Sequence, residues 1–277
     1  MKIEIKEIKT IDNREVVRIT SVDERWYIEG IGKDKKFYPS FTWVFSYYPK
    51  GIRYFKWLAS KGWDESQALM HEAGEKGTKV HRAIEDLSNG KEVKMSDKYF
   101  NEMKDCEEEL TVEEWEAIMS FVDWFNLVKP ENIANEFTVI NEEMNCAGTV
   151  DKLCLVRKDI KVGTMNIPKG FWLIDYKTSN DIWPSHELQV NGYKHSISDN
   201  LKKKMWKMLS KEERFDKEFK DIKMAILQVG YKKNKNGFKF TQIKDKYDLC
   251  KSVKDIWVNE CADVEPKQID YPKSLKL

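Results

Sequence analysis

Cysteine is scarce. The chain of 277 residues holds five, at positions 106, 146, 154, 250 and 261, and no CxxC pair. An odd number without tight spacing excludes a disulfide framework and reads as reduced thiols in a cytosol-like compartment. Long apolar runs are missing too. Nothing approaches the ~18 consecutive apolar residues of a membrane-spanning helix, so no membrane association is expected. The opening Met1–Glu7 alternates charged and aliphatic residues. Without an apolar core and with acidic residues present, it predicts neither a signal nor a transit peptide. Nor is there an excess of one charge: 48 Lys and Arg face 47 Asp and Glu, a net +1. No internal repeat, low-complexity tract or linker interrupts the chain. These absences exclude a secreted disulfide scaffold, an integral membrane protein and a disordered or fibrous chain.

What is present is unevenly placed. Residues 97–116 carry nine acidic residues against two lysines, and residues 201–246 carry fifteen basic residues against six acidic ones. Such asymmetry marks either a nucleic-acid-facing side or two solvated faces that compensate each other. Hydrophobic periodicity orders the rest. Residues 2–8, 14–20 and 25–29 alternate and predict short antiparallel strands. Between Phe37 and Pro49, Ser40 or Thr42 can cap a short helix that the proline ends. Residues 51–61 and 66–88 follow helical spacing until Asn89-Gly90. The acidic residues 97–109 are expected to be helical, and Thr111-Val-Glu-Glu114 is a capping box opening a helix over 112–128. Strands follow at 134–140, 147–156 and 171–178. One helix is expected from Pro184 to about Lys207, with a second capping box at Ser210-Lys-Glu-Glu213. Strands return at 223–231 and 237–243, then an amphipathic helix over 246–262 and an extended tail after Pro266. The fold class is α/β, a central mixed sheet with helices on both faces. Residues 1–35 read as an N-terminal β extension. Residues 36–277 read as the main domain, with a helical insertion at about 91–130.

The chemistry concentrates in four places. Phe171-Trp-Leu-Ile-Asp-Tyr-Lys177 is an apolar strand ending in Asp175 and Lys177, which share one face. An ionisable pair on a buried face is costly unless something compensates, and a divalent cation beside Asp175 would do so. Ala147-Gly-Thr-Val-Asp151 places a second carboxylate on another apolar strand. Paired strands lie under ~5 Å apart, so Asp151 and Asp175 can share one ion if their register matches. Gly77, His81 and Glu85 follow i, i+4, i+8 spacing on one helix, and the imidazole is a nitrogen ligand suited to Mn²⁺. Gln189 and Tyr193 share a face of the helix after Pro184 and can hydrogen-bond a phosphate or water. Taken singly, each is as readily a surface ion pair, a structural histidine or a half-exposed helix face. Their order is the informative feature.

That order resembles the PD-(D/E)XK nuclease superfamily in its RecB-like branch, similar to mitochondrial genome maintenance exonucleases and their phage relatives. The matching pieces are Gly77-x-x-x-His81-x-x-x-Glu85, Gly148-Thr-Val-Asp151, Ile174-Asp-Tyr-Lys177 and Leu188-Gln-Val-x-x-Tyr193, with Tyr38-Pro-Ser-Phe-Thr42 as the opening motif. The resemblance spans residues 38–193 and leaves residues 1–35 and the acidic segment near 97–110 without a counterpart. It implies a restriction-endonuclease-like core. It also implies that His81, Asp151, Asp175 and the main-chain carbonyl of Tyr176 hold Mg²⁺ or Mn²⁺. Lys177 would be the catalytic lysine, with Gln189 and Tyr193 beside the scissile phosphate. Glu136 stands where such proteins often carry an acid, or is an edge-strand carboxylate. Some RecB-like nucleases hold a four-cysteine iron–sulfur cluster; the wide cysteine spacing here predicts none.

The implied function is a metal-dependent DNA exonuclease in the cytoplasm of a bacterial or phage-infected cell. The alternatives are a structure-specific endonuclease and a catalytically idle DNA-binding or assembly subunit. The aromatics between Tyr38 and Trp63 are expected to be mostly core, with a minority free to stack unpaired bases, which favours single-stranded DNA as partner. Lys202, Lys203, Lys204, Lys207, Lys232, Lys233 and Lys235 are the expected backbone contacts.

Overall fold

A computed structural model of the protein describes residues 4–21, 24–30, 34–101, 104–163, 165–261 and 265–267. The tail expected to be extended after Pro266 lies outside these apart from Lys267. Four strands, Glu4–Lys9 (β1), Glu15–Thr20 (β2), Arg25–Glu29 (β3) and Lys36–Pro39 (β4), form an antiparallel sheet in chain order. This sheet runs four residues past the expected boundary at 35. Helices Phe41–Ser46 (α1), Ile52–Lys61 (α2) and Trp63–Ser88 (α3) follow. Next come a hairpin, Lys98–Asn101 (β5) and Cys106–Glu109 (β6), and the helix Val112–Val128 (α4). Then come Glu131–Asn141 (β7), Cys146–Val156 (β8), a small hairpin of Ile160–Val162 (β9) and Met165–Ile167 (β10), and Gly170–Lys177 (β11). The remainder is Pro184–Lys194 (α5), Asp199–Lys207 (α6), Ile222–Val229 (β12), Phe238–Ile243 (β13) and Tyr247–Cys261 (α7).

The central sheet has five strands in the order β13-β12-β11-β8-β7. It is mixed: β11 and β12 are parallel and the other pairs antiparallel. Apolar alternation along the strands feeds two cores. On one face Phe41, Phe45, Leu188, Val253 and Trp257 of α1, α5 and α7 pack with Leu153, Leu173 and Ile226. On the other, Val80, Ile84, Ile118, Phe121 and Trp124 of α3 and α4 pack with Cys154, Trp172, Ile174 and Leu227. Removing each large side chain from water contributes about 1.5–3 kcal/mol, so the strand hydrophobicity accounts for why the sheet is covered on both faces. Among the described residues no helix is long and apolar enough to cross a membrane.

Two segments depart from the sequence expectation. The acidic residues 97–109 form the β5–β6 hairpin instead of a helix. Tyr99 is buried there against the α3–α4 core, Lys98 stands opposite Glu109, and Asp105 turns the chain at φ 50°. Anchoring one aromatic and pairing opposite charges across strands outweighs a modest helix propensity. The insertion is therefore a hairpin plus one helix. The helix expected from Pro184 to Lys207 is broken in two. Ser198 Oγ accepts the Leu201 N–H at 3.2 Å, which starts α6 afresh. The box at Ser210 forms, with Glu213 N donating to Ser210 Oγ, but caps only a short 3-10 turn, Glu213–Phe215.

The dense aromatic run divides. Tyr38, Phe41 and Phe45 are fully buried. By contrast α2 buries none of its residues, and Phe55 and Trp63 are 51% and 66% exposed.

Candidate metal centre and active site

Register brings three carboxylates abreast. On β8 and β11 the last paired residues are Lys152 and Ile174, so Asp151 and Asp175 stand one step beyond. On β7 and β8 the pairs Asn135–Lys152 and Phe137–Val150 bracket Glu136 and Asp151. Glu136, Asp151 and Asp175 thus form a row across neighbouring strands. The backbone deforms there. Glu136 sits at φ 42°, a left-handed conformation that costs a non-glycine residue about 1–3 kcal/mol and is concentrated at functional sites. Asp151 Oδ2 accepts the Tyr176 N–H at 2.5 Å, a side chain standing in where the ladder ends.

Helix α3 lays His81 over the row. Its Nδ1 is 3.6 Å from Asp151 Oδ1 and 4.0 Å from Glu136 Oε1, while Nε2 lies 3.1 Å from the Tyr176 carbonyl oxygen. One donor atom from each of His81, Glu136 and Asp151 lies within 4.8 Å of the others. Octahedral ligands at ~2.1 Å place adjacent donors about 3 Å apart, so a set this close could hold a divalent ion. The fit also follows from the charges. Burial, reinforced by Asp151, pushes the Glu136 carboxyl up to about 8, and burial pushes Asp175 up to about 6 despite Lys177. Burial disfavours the His81 imidazolium, but Asp151 and Glu136 outweigh it and carry the pKa up to about 9. Acids are crowded closely enough to hold protons, and a divalent cation in place of those protons would relieve them.

His81 and Asp151 come together with Glu136. Asp175 stands beside them but is engaged by Lys177, whose Nζ lies 2.6 Å from Asp175 Oδ2. The Tyr176 carbonyl faces His81. Lys177 Nζ also reaches Gln189 Oε1 at 3.5 Å, and Gln189 Nε2 donates to Tyr193 Oη at 2.6 Å. Asp175, Lys177, Gln189 and Tyr193 form one polar chain along the site, uniting all four residues that the sequence picked out there.

Close packing sets that chain in place. Phe41 lies edge-on to Tyr193, with ring centroids 5.7 Å apart, and against Gly148 and Gly192. A Cβ on Gly148 would lie 2.6 Å from the Tyr193 ring and 3.0 Å from Phe41. We expect Gly148→Ala to cost about 1–3 kcal/mol, as overpacking does, and to displace Tyr193 and Gln189. Thermal unfolding together with turnover checks this. Gly77 needs no such argument, because a Cβ there meets only Thr178 Oγ1 at an ordinary 3.5 Å.

The row opens into a cavity of about 420 Å³, within the range of ligand sites. Gly77, His81 and Glu85 of α3 line one side, with Asp151, Asp175 and Lys177 below. None of the lysines expected to contact DNA lines it. Lys232 instead pairs with Glu113 at 2.9 Å and Lys233 with Asp181 at 3.0 Å. The basic residues that do line it include Lys6, Arg18 and Arg25, from the N-terminal sheet. Sequence reasoning missed them because a cation on a short alternating strand has the pattern of a solvated face.

The chain matches no family model and no curated protein.

Proposed function

We propose that the protein is a metal-dependent deoxyribonuclease, an exonuclease built on a restriction-endonuclease-like core and acting on single-stranded DNA from a free end. The observation that carries this reading is the row Glu136–Asp151–Asp175, its two aspartates buried, with Lys177 fixed beside it. Carboxylates crowded under a histidine suit a divalent ion, and the adjoining lysine suits an anion.

His81, Glu136 and Asp151 would hold Mg²⁺ or Mn²⁺, with Asp175 alongside. Such an ion supplies charge stabilisation for the phosphoryl oxygens and a more acidic water. The chain's own residues do the rest. Lys177, held by Asp175, presents a positive charge to the scissile phosphate and orients the attacking water. Gln189 fixes the Lys177 ammonium from the other side, and Tyr193 fixes Gln189. Burial of Asp175 keeps this pair out of bulk water, where Coulomb attraction is weaker.

Strand preference rests on α2 and the start of α3. Phe55 on α2 and Trp63 at the first residue of α3, the helix that carries His81, are exposed, and Lys50 Nζ lies 5.8 Å from the Tyr54 ring centroid. Exposed aromatics among cations suit unpaired bases, at about 1–3 kcal/mol per stacked base. The test is digestion of end-labelled linear DNA with Mg²⁺, Mn²⁺ or EDTA, as single strands, blunt duplex and closed single-stranded circles. We expect single strands to be degraded from an end, circles to persist, and Phe55→Ala or Trp63→Ala to weaken single-strand binding about 5- to 100-fold. Equal rates on blunt duplex would remove the strand preference. Nicking of circles would replace exonuclease by endonuclease. No cleavage with any metal would leave an idle binding subunit.

A further inference from the structure

Strands β1–β3 of the N-terminal sheet lie outside the stretch that carries the nuclease resemblance, yet they line the cavity. Lys6, Arg18, Arg25 and Tyr27 all line it. The placement follows from register. Lys6 stands opposite Arg18 on β1–β2, and Arg18 opposite Tyr27 on β2–β3, so the three form a cross-strand row. Arg25, two residues before Tyr27, projects from the same face. The other face carries Ile19, Trp26 and Ile28 into the main core, which forbids the sheet from turning over.

The wall is pinned to the strand that bears Asp151. Tyr27 Oη lies 3.3 Å from Thr149 Oγ1. Ser40 N donates to the Arg25 carbonyl at 2.8 Å, and Ser40 also bridges to Ala147. Arg14 ties β3 to the β7–β8 turn through Glu29 and through Glu142 at 2.7 Å. The cations of this sheet are thereby held at a set distance from the carboxylates.

The same cavity is lined by Glu85, Glu136, Asp151 and Asp175. Among the described residues no ion pair joins Lys6 or Arg25 to these acids. Cations of the N-terminal sheet and these carboxylates share one cavity of about 420 Å³, which Lys177 and Arg82 also line. A ligand that satisfies both sets of groups carries anionic groups for the cations and bridges to a metal ion at the carboxylates. A phosphodiester chain has that character.

We propose that the N-terminal sheet is a backbone clamp: Lys6, Arg18 and Arg25 bind the phosphates that flank the bond held at the Asp151 row. The clamp rests on the nuclease reading for the identity of the chain it grips, and takes a single strand's sugar–phosphate backbone without regard to sequence. It assigns the binding role to residues 4–29 and relieves the lysine-rich segment 201–246 of it.

The experiment measures binding of a fluorescein-labelled dT₂₀ oligonucleotide by anisotropy, with Ca²⁺ replacing the active metals, at 50–200 mM KCl. The proteins are wild type, Lys6→Ala, Arg25→Ala, Arg25→Lys and Lys202→Ala/Lys203→Ala. Each of Lys6→Ala and Arg25→Ala should weaken binding about tenfold, the effect of one charge-assisted hydrogen bond. Each should also reduce the slope of log affinity against log salt by about 0.7. Arg25→Lys should recover most of the slope, and the α6 double variant should bind as wild type. Unchanged melting temperatures separate these effects from misfolding. Wild-type affinity and slope in both sheet variants, in a protein that cleaves DNA, would overturn the clamp and leave the nuclease reading intact. Weakened binding by the sheet variants in a protein that cleaves nothing would keep the clamp and discard the nuclease. A wild type that does not bind dT₂₀ would overturn both.

Discussion

Lys177→Met is expected to lower cleavage by about 10²–10⁴-fold, the usual scale for a group acting on proton transfer or charge at the reacting centre. Methionine keeps the volume of the lysine stem and removes only the ammonium. The interpretation depends on what happens to Asp175, which is 1% exposed and loses its cation. Removing one partner of a buried pair costs about 3–5 kcal/mol when the other charge stays. Asp175 avoids most of this, because burial already pushes it up to about 6 and loss of Lys177 pushes it further, so the carboxyl takes a proton near neutrality. The fold should therefore survive. Asp175→Asn should abolish cleavage as completely. The double variant should be no less active than either single one, because the two residues act as a unit. Single-turnover rates on end-labelled DNA and melting temperatures measure both statements. Wild-type turnover in Lys177→Met would place the chemistry elsewhere.

Metal should both activate and stabilise the protein. An ion held at 100 times its dissociation constant stabilises the native state by about 2.7 kcal/mol, which for a chain of this length raises the melting temperature by about 5–10 °C. EDTA should remove the shift and all cleavage. Glu136→Gln and Asp151→Asn should suppress the shift, whereas Lys177→Met should retain it. Asp175→Asn should weaken it without abolishing it, since Asp175 is engaged by Lys177. Glu136→Gln carries a second expectation. Burial and Asp151 push the half-buried Glu136 carboxyl up to about 8, so the neutral amide should raise the melting temperature of the metal-free protein while it destroys the metal response. A site that is less stable empty than after disabling is a common cost of function. A full metal shift in Glu136→Gln would remove that residue from the ligand set.

Residues 134–140, 147–156 and 171–178 could be read as strands because their apolar pattern is local, and the observed β7, β8 and β11 lie within a few residues of those bounds. The capping box at Thr111 is equally local: the Thr111 N–H donates to Glu114 Oε2 at 2.7 Å and opens α4 where expected. The sequence by itself also determined the candidates His81, Asp151, Asp175, Lys177, Gln189 and Tyr193, since i, i+2 and i, i+4 spacings place side chains on a face. It did not determine what each face meets. That Glu136 stands beside His81 and Asp151 follows from the β7–β8 register and from where α3 crosses it. Residues 97–109 became a hairpin because Tyr99 found the α3–α4 core. Lys6 and Arg25 became cavity residues because Trp26 and Ile28 claimed the opposite face of their sheet for the main core. Periodicity encodes the direction of a side chain relative to its own backbone. The partner in that direction is set by how distant segments pack, which only the tertiary structure decides.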